Sequence, residues 1–164
     1  ADTLLLSGGS SVGTRDLTLD VLAALPQAEV LVHGVAIKPG KPTILARVGR
    51  EPVKAVWGLP GHVASAMVVF DVLVRPYVEH LTGLAATPIR PQRTARLSRG
   101  VPSVHGRVDF LRVRLEERDD GPWAVPVLGR SGLLRTMVHS DGLVEIDRDT
   151  EGLDAGDTVT VRLF

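Results

Sequence analysis

The sequence predicts an α/β layer followed by a small antiparallel β domain, a barrel or a sandwich. Three observations carry this. The apolar run Leu4-Leu5-Leu6 breaks into Ser7-Gly8-Gly9-Ser10-Ser11-Val12-Gly13 and is followed by an amphipathic stretch, the strand–loop–helix order of an α/β unit. Between Leu84 and Gln92 the composition shifts to Ala-Ala-Thr-Pro and then Pro91, which marks a linker. Beyond it the hydrophobic period becomes two, as in half-buried strands. The expected division is an α/β part over residues 1–83, a linker over 84–92 and a β domain over 93–164.

Taken in order, Leu4-Leu5-Leu6 reads as a strand buried on both faces, preceded only by Ala1-Asp2-Thr3. An intact domain seldom starts inside its central sheet, so the chain reads as part of a longer protein. The first helix is expected from about Thr14, an N-cap, with Leu17, Val21, Leu22 and Leu25 on one face before Pro26. Glu29–Val32 is a short strand. Thr43–Val48 and Val53–Trp57 are two more, joined by a turn at Gly49-Arg50-Glu51-Pro52. Gly58-Leu59-Pro60-Gly61-His62 forms a second glycine loop and opens the longest helix, Val63–Leu81, with a kink at Pro76 and a C-terminal cap at Gly83. In the β half, strands are expected over Phe110–Arg118, Trp123–Leu128, Leu143–Asp147 and Thr158–Phe164, with one short helical turn between Gly132 and Val138.

Composition removes several function classes. The 19 basic and 19 acidic side chains cancel, so no global charge points to nucleic acid or an anionic membrane. No apolar run approaches a membrane span and no signal-peptide pattern is present. The absence of cysteine excludes disulfides and thiolate metal sites and suits a reducing, cytoplasmic compartment. The five histidines show no metal-ligand spacing, and no Ser/His/Asp constellation demands nucleophilic catalysis.

The remaining chemistry concentrates on anions. Gly8, Gly9 and Gly13 allow a ligand to approach the backbone closely, Ser10 and Ser11 add hydroxyl donors, and the following helix N-terminus attracts negative charge. A plain turn is the alternative for that loop alone. In Lys38-Pro39-Gly40-Lys41-Pro42 two prolines and a glycine stiffen a loop that carries two ammonium groups. Their repulsion costs free energy unless an anion is present; the other reading is a solvated basic turn. Asp16 either complements the helix dipole or holds a divalent cation, since Mg²⁺ takes one or two carboxylates plus substrate oxygens. Ser65 is a cap or an anion donor, and His62 is structural. The two glycine loops and the lysine segment are expected to meet in one cleft at the carboxyl ends of parallel strands.

These motifs occur together in one known family. Ser7–Gly13 with Asp16, then Gly34-Val35-Ala36-Ile37-Lys38-Pro39-Gly40-Lys41-Pro42, then Gly58-Leu59-Pro60-Gly61 with Ser65-Ala66, resemble the molybdopterin molybdenumtransferases, to which gephyrin is related. Gly106-Arg107-Val108-Asp109-Phe110 and Gly129-Arg130-Ser131-Gly132 resemble that family's C-terminal domain. The resemblance implies a three-layer α/β domain of the molybdopterin-binding type, incomplete at its N-terminal side, followed by the β-barrel domain. It implies insertion of molybdenum into adenylylated molybdopterin, with Mg²⁺-dependent release of AMP, and a homodimer in the full-length protein. Its partners would be the small-molecule substrates molybdopterin and molybdate. Carried over by position, Lys38, Lys41 and Asp16 would be catalytic, and Asp16 would also hold the metal. Gly8, Gly9, Ser11, Gly13, Pro42, Gly61, Ser65, Arg107 and Ser131 would bind the pterin and the oxyanions. The chain departs from the family pattern at His62-Val63, where Asn-Pro is usual, and at Thr14, where an acidic residue is common. It also lacks the family's Gly-Asp-Glu-Leu motif. The alternative is a non-catalytic pterin-binding or scaffold module of the same family.

Overall fold

The computed structural model describes residues 1–8, 17–84, 90–129 and 134–164. Along the chain come β1 (Thr3–Ser7), α1 (Leu17–Ala24), β2 (Ala28–His33), β3 (Ile37–Lys38), β4 (Ile44–Val48), β5 (Lys54–Leu59), α2 (Val63–Val69) and α3 (Arg75–Leu81). The second half holds β6 (Gln92–Leu97), β7 (Val101–Pro102), β8 (Val108–Arg118), β9 (Gly121–Pro126), α4 (Arg135–Val138), β10 (Gly142–Ile146), β11 (Gly152–Leu153) and β12 (Thr158–Leu163). The chain divides into two compact units, Ala1–Val35 with Pro39–Gly83, and Ala36–Lys38 with Leu84–Phe164.

In the first unit four strands form a sheet in the order β1-β5-β4-β2. β1 runs parallel to β5, whereas β4 is antiparallel to both β5 and β2. A mostly parallel layer, the arrangement expected from the motif order, is therefore not what these strands make. The reason is the tight turn at Gly49–Pro52, which can join β4 to β5 only as a hairpin. Gly49 takes a left-handed φ of 84° there.

Two expectations for this unit are corrected. Leu4 and Leu5 are not buried on both faces; they are 50% and 39% exposed. Among the described strands β1 pairs with β5 alone, so it stands at the edge of the sheet. Helix α1 buries Leu22 and Thr18, one turn apart, while Leu17, Val21 and Leu25 are exposed. Thr18 lies against Gly58, where an added Cβ would stand 3.0 Å from Ile44 Cβ and 3.5 Å from Thr18 Cγ2. The missing side chain lets helix and sheet approach closely over the core of Leu22, Ile44, Ala46 and Val56. Thr14, the expected cap of this helix, lies outside the described residues.

The helix expected over Val63–Leu81 forms, with one departure. Phe70–Val74 is a π-helical turn between α2 and α3. Pro76 lacks an N–H and its ring clashes with the carbonyl four residues back, so the backbone widens there. The helix ends at Thr82, and Gly83 follows with φ 74° and its N–H donated to the His80 carbonyl (3.1 Å).

In the second unit the strand order β10-β12-β6-β9-β8 closes on itself through β10–β8 pairing, giving a five-stranded barrel. β8 is long enough to serve both neighbours: Asp109–Val113 pair with β10, and Val113–Arg118 with β9. Alternate side chains point inward, so Leu97, Leu111, Val113, Val144, Ile146 and Val161 fill the interior. β3 adds to the outside of β8 in parallel, with Ile37 opposite Val108 and Lys38 opposite Asp109.

Candidate functional site

Register places several of the sequence motifs of the first unit at one end of its sheet. Ser7 is paired with Leu59, Gly58 with Ile44, and Ile44 with His33. The loop after β1, the loop after β5 and the loop before β4 therefore emerge side by side. The lysine-bearing loop arrives at this end by the start of β4, because that strand is antiparallel, and not by the carboxyl end of a parallel strand.

Backbone and threonine-hydroxyl contacts tie the described residues at this end together. The Gly8 N–H donates to the Leu59 carbonyl (3.2 Å), and the Thr18 hydroxyl to the Gly8 carbonyl (3.5 Å). Gly61 approaches Gly8 so closely that an added Cβ would touch Gly8 Cα at 3.6 Å. Gly40 is buried with φ 123°, and its carbonyl accepts from the buried Thr43 hydroxyl at 2.7 Å. The Val35 and Gly34 N–H groups donate to the Lys41 and Thr43 carbonyls (2.9 and 2.8 Å). This loop is thus fixed through its backbone, and Lys41 is exposed on it with Pro42 half-buried behind. Ser65 is buried on the first turn of α2, next to Ala64 and three residues after His62, the exposed N-cap.

The expected site residues Gly9, Ser11, Gly13, Asp16 and Ser131 lie outside the described residues. Of the others, Gly8, Gly61, Ser65, Lys41 and Pro42 belong to the first unit, and Lys38 and Arg107 to the second. Among the described residues no group of three or more His, Cys, Asp or Glu side chains could hold a metal ion.

In the second unit Lys38 and Arg107 share a counter-charge that the sequence reading missed. The Lys38 ammonium donates to Asp109 Oδ2 at 3.3 Å. Arg107 Nε donates to Asp109 Oδ1 at 2.8 Å and Nη2 to Oδ2 at 3.4 Å. The Asp109 side chain is only 8% exposed. A signal was present in the sequence: a basic and an acidic residue stand two apart at the start of β8, with Arg107 in the bend before the strand. Further along β8, Arg112 is buried, and that burial pushes its guanidinium below the usual arginine range. Its Nη2 donates to the Gly129 carbonyl (3.2 Å), at the head of the Gly129–Gly132 motif, while Nη1 is buried with no hydrogen-bond partner among the described residues.

Comparison with known proteins follows the same two-part division. Residues 1–80 match the family described as a probable molybdopterin binding domain. Residues 94–164 match the MoeA C-terminal region, domain IV. The chain belongs to the molybdopterin molybdenumtransferase family and matches its C-terminal part. The molybdopterin molybdenumtransferase of Haemophilus influenzae is 33% identical over 168 residues, which is 100% of this chain and 40% of that protein. Molybdopterin molybdenumtransferase 1 of Mycobacterium tuberculosis is 32% identical over 98% of this chain and 38% of its own length. The crystal structure of the molybdopterin biosynthesis MoeA protein from Pyrococcus horikoshii superposes with a TM-score of 0.78 at 40% identity, covering 99% of this chain and 37% of that one. The chain thus spans well under half the length of the relatives it matches. No described helix is long and apolar enough to cross a membrane.

Proposed function

We propose that this chain takes part in molybdenum cofactor biosynthesis as the oxyanion-handling C-terminal part of a molybdopterin molybdenumtransferase. The reaction is insertion of molybdenum from molybdate into adenylylated molybdopterin, with AMP released. What carries the reading is the coincidence of family and layout: both halves match the family, and the motif-bearing loops of the first unit emerge at one end of its sheet.

In this reading the glycine loop with Ser11, together with Lys41, Pro42 and Ser65, receives the pterin phosphate and the oxyanions through N–H, ammonium and hydroxyl donors. Lys38, Arg107 and Ser131 serve the molybdate side. The stiff backbone around Gly40 and Thr43 supports the role of Lys41, because a pre-set loop loses little freedom when an anion binds. A single carboxylate suits Mg²⁺, which draws its other ligands from substrate oxygens and water. Asp16 is the residue assigned to it, and the ion would neutralise charge on the phosphates. The full-length protein would act as a cytoplasmic homodimer.

Lys41→Ala is the direct test. An exposed loop lysine contributes within about 0.5 kcal/mol to stability, whereas a charge-assisted contact to a bound oxyanion is worth about 1.5–3 kcal/mol. Calorimetric titration with molybdate and with AMP should show affinity reduced about ten- to a hundred-fold at an unchanged melting temperature. Equal affinity in the two proteins would remove Lys41 from the site.

A further inference from the structure

Asp109 stands at the start of β8 with its carboxylate buried and both oxygens engaged by cations. Arg107, in the bend just before β8, reaches Asp109 two residues on, and Lys38 is directly opposite in the parallel β3–β8 register. The guanidinium is bound side-on through two of its five N–H groups, and the ammonium through one of its three. The Lys38 and Arg107 side chains are 56% and 34% exposed against 8% for Asp109. The carboxylate is therefore on the inner side, and the unused donors face outward.

We propose that Asp109 is a positioning residue: it holds Lys38 and Arg107 together as a preassembled cation pair whose outward N–H groups receive an oxyanion. The proposal rests on the reading of Lys38 and Arg107 as oxyanion contacts given above. Two long side chains bearing like charges repel and carry much rotamer freedom, so an anion that had to gather them would bind weakly. Asp109 cancels one charge of the pair and fixes both side chains beforehand. A single positive charge remains, with five N–H groups that have no partner among the described residues. Arg107 is well suited to this, because its planar fork can grip one carboxylate and still present donors on its other edge. Stability alone is a poor reason for the cluster, since a buried ion pair seldom outperforms apolar residues of the same volume.

The test compares molybdate affinity and melting temperature in the wild-type chain, Asp109→Asn and Asp109→Glu. Asp109→Asn removes the charge that gathers the cations. Asp109→Glu keeps the charge and displaces them by about one carbon–carbon bond, which also covers the case in which the Asn variant does not fold. Both variants should bind molybdate at least tenfold more weakly. If Asp109→Asn binds tighter, the carboxylate is a competing internal anion and the proposal fails. It fails too if Asp109→Glu binds like wild type, or if either variant melts earlier with affinity unchanged, since Asp109 would then serve the barrel alone. A wild-type chain that does not bind molybdate overturns the functional reading itself and this inference with it.

Discussion

Gly142 opens β10 at a point where the backbone leaves no room for a side chain. A Cβ there would fall 2.3 Å from the Arg162 carbonyl oxygen and 2.9 Å from Val161 Cγ1. Gly142→Ala must therefore push β10 away from β12, and should cost about 1–3 kcal/mol in urea unfolding. A second residue-scale prediction concerns acid. A hydrogen bond from Trp123 Nε1 (2.7 Å), with Arg96 and Arg118 nearby, holds the Asp120 carboxyl below the usual aspartate range. A lowered folded value means the contact is kept above the unfolded value and lost as pH falls through the folded one. Trp123 fluorescence should accordingly change on acidification with a midpoint below the ordinary aspartate value of 3.8, and Asp120→Asn should abolish that step; a midpoint at or above the ordinary value would contradict the assignment. At this scale the sequence was legible in part. That Lys38 needs an anion follows from its loop, but the anion supplied is Asp109, and no local spacing rule connects residues so distant. Arg112 gave no signal at all, because a basic residue in an alternating strand reads as solvent-facing.

Elements with strong periodicity were the easiest to read. β12 alternates exposed threonine with buried valine over Thr158–Val161, β8 alternates apolar and basic residues over Leu111–Leu115, and the helix running from Val63 to Leu81 carries apolar residues on most of its surface. β6 was hidden: in Gln92–Leu97 only Ala95 and Leu97 are buried, so its composition resembles the linker before it. Pairing with β12 on one side and β9 on the other makes it a strand, and such pairing is not local information. Helix α1 shows the opposite error. Its leucines and valine form a plausible apolar face, yet the buried stripe is Thr18 and Leu22, selected by the room that Gly58 leaves. The two faces can be separated by experiment. Leu22→Ala should lower stability by about 2–5 kcal/mol, whereas Val21→Asp, at a position 54% exposed, should stay within about 0.5 kcal/mol. Reversed magnitudes in chemical denaturation would mean that α1 is rotated.

At the scale of the molecule, the chain passes to the second unit for three residues, Ala36–Lys38, and then returns to the first. That excursion is what makes Lys38 a member of the barrel unit, and nothing in the local pattern of Val35-Ala36-Ile37 announces it. β3 is nevertheless an accessory to the barrel. Closure runs through β10–β8, and the interior residues fall between Ala95 and Val161. Without β3 the barrel loses the short pairing with β8, including the Val108 N–H bond to the Ala36 carbonyl (2.9 Å), and the half-exposed Lys38–Asp109 pair. Arg107, just ahead of β8, still covers the Asp109 carboxylate. Residues 84–164 expressed alone should therefore fold cooperatively into the barrel, less stable than in the whole chain by about 1–2 kcal/mol, the scale of one or two hydrogen bonds and a screened ion pair. Circular dichroism with urea titration checks both parts. A fragment that stays unfolded would show that β3 is needed to complete the barrel, and would tie the folding of the second unit to a segment encoded within the first.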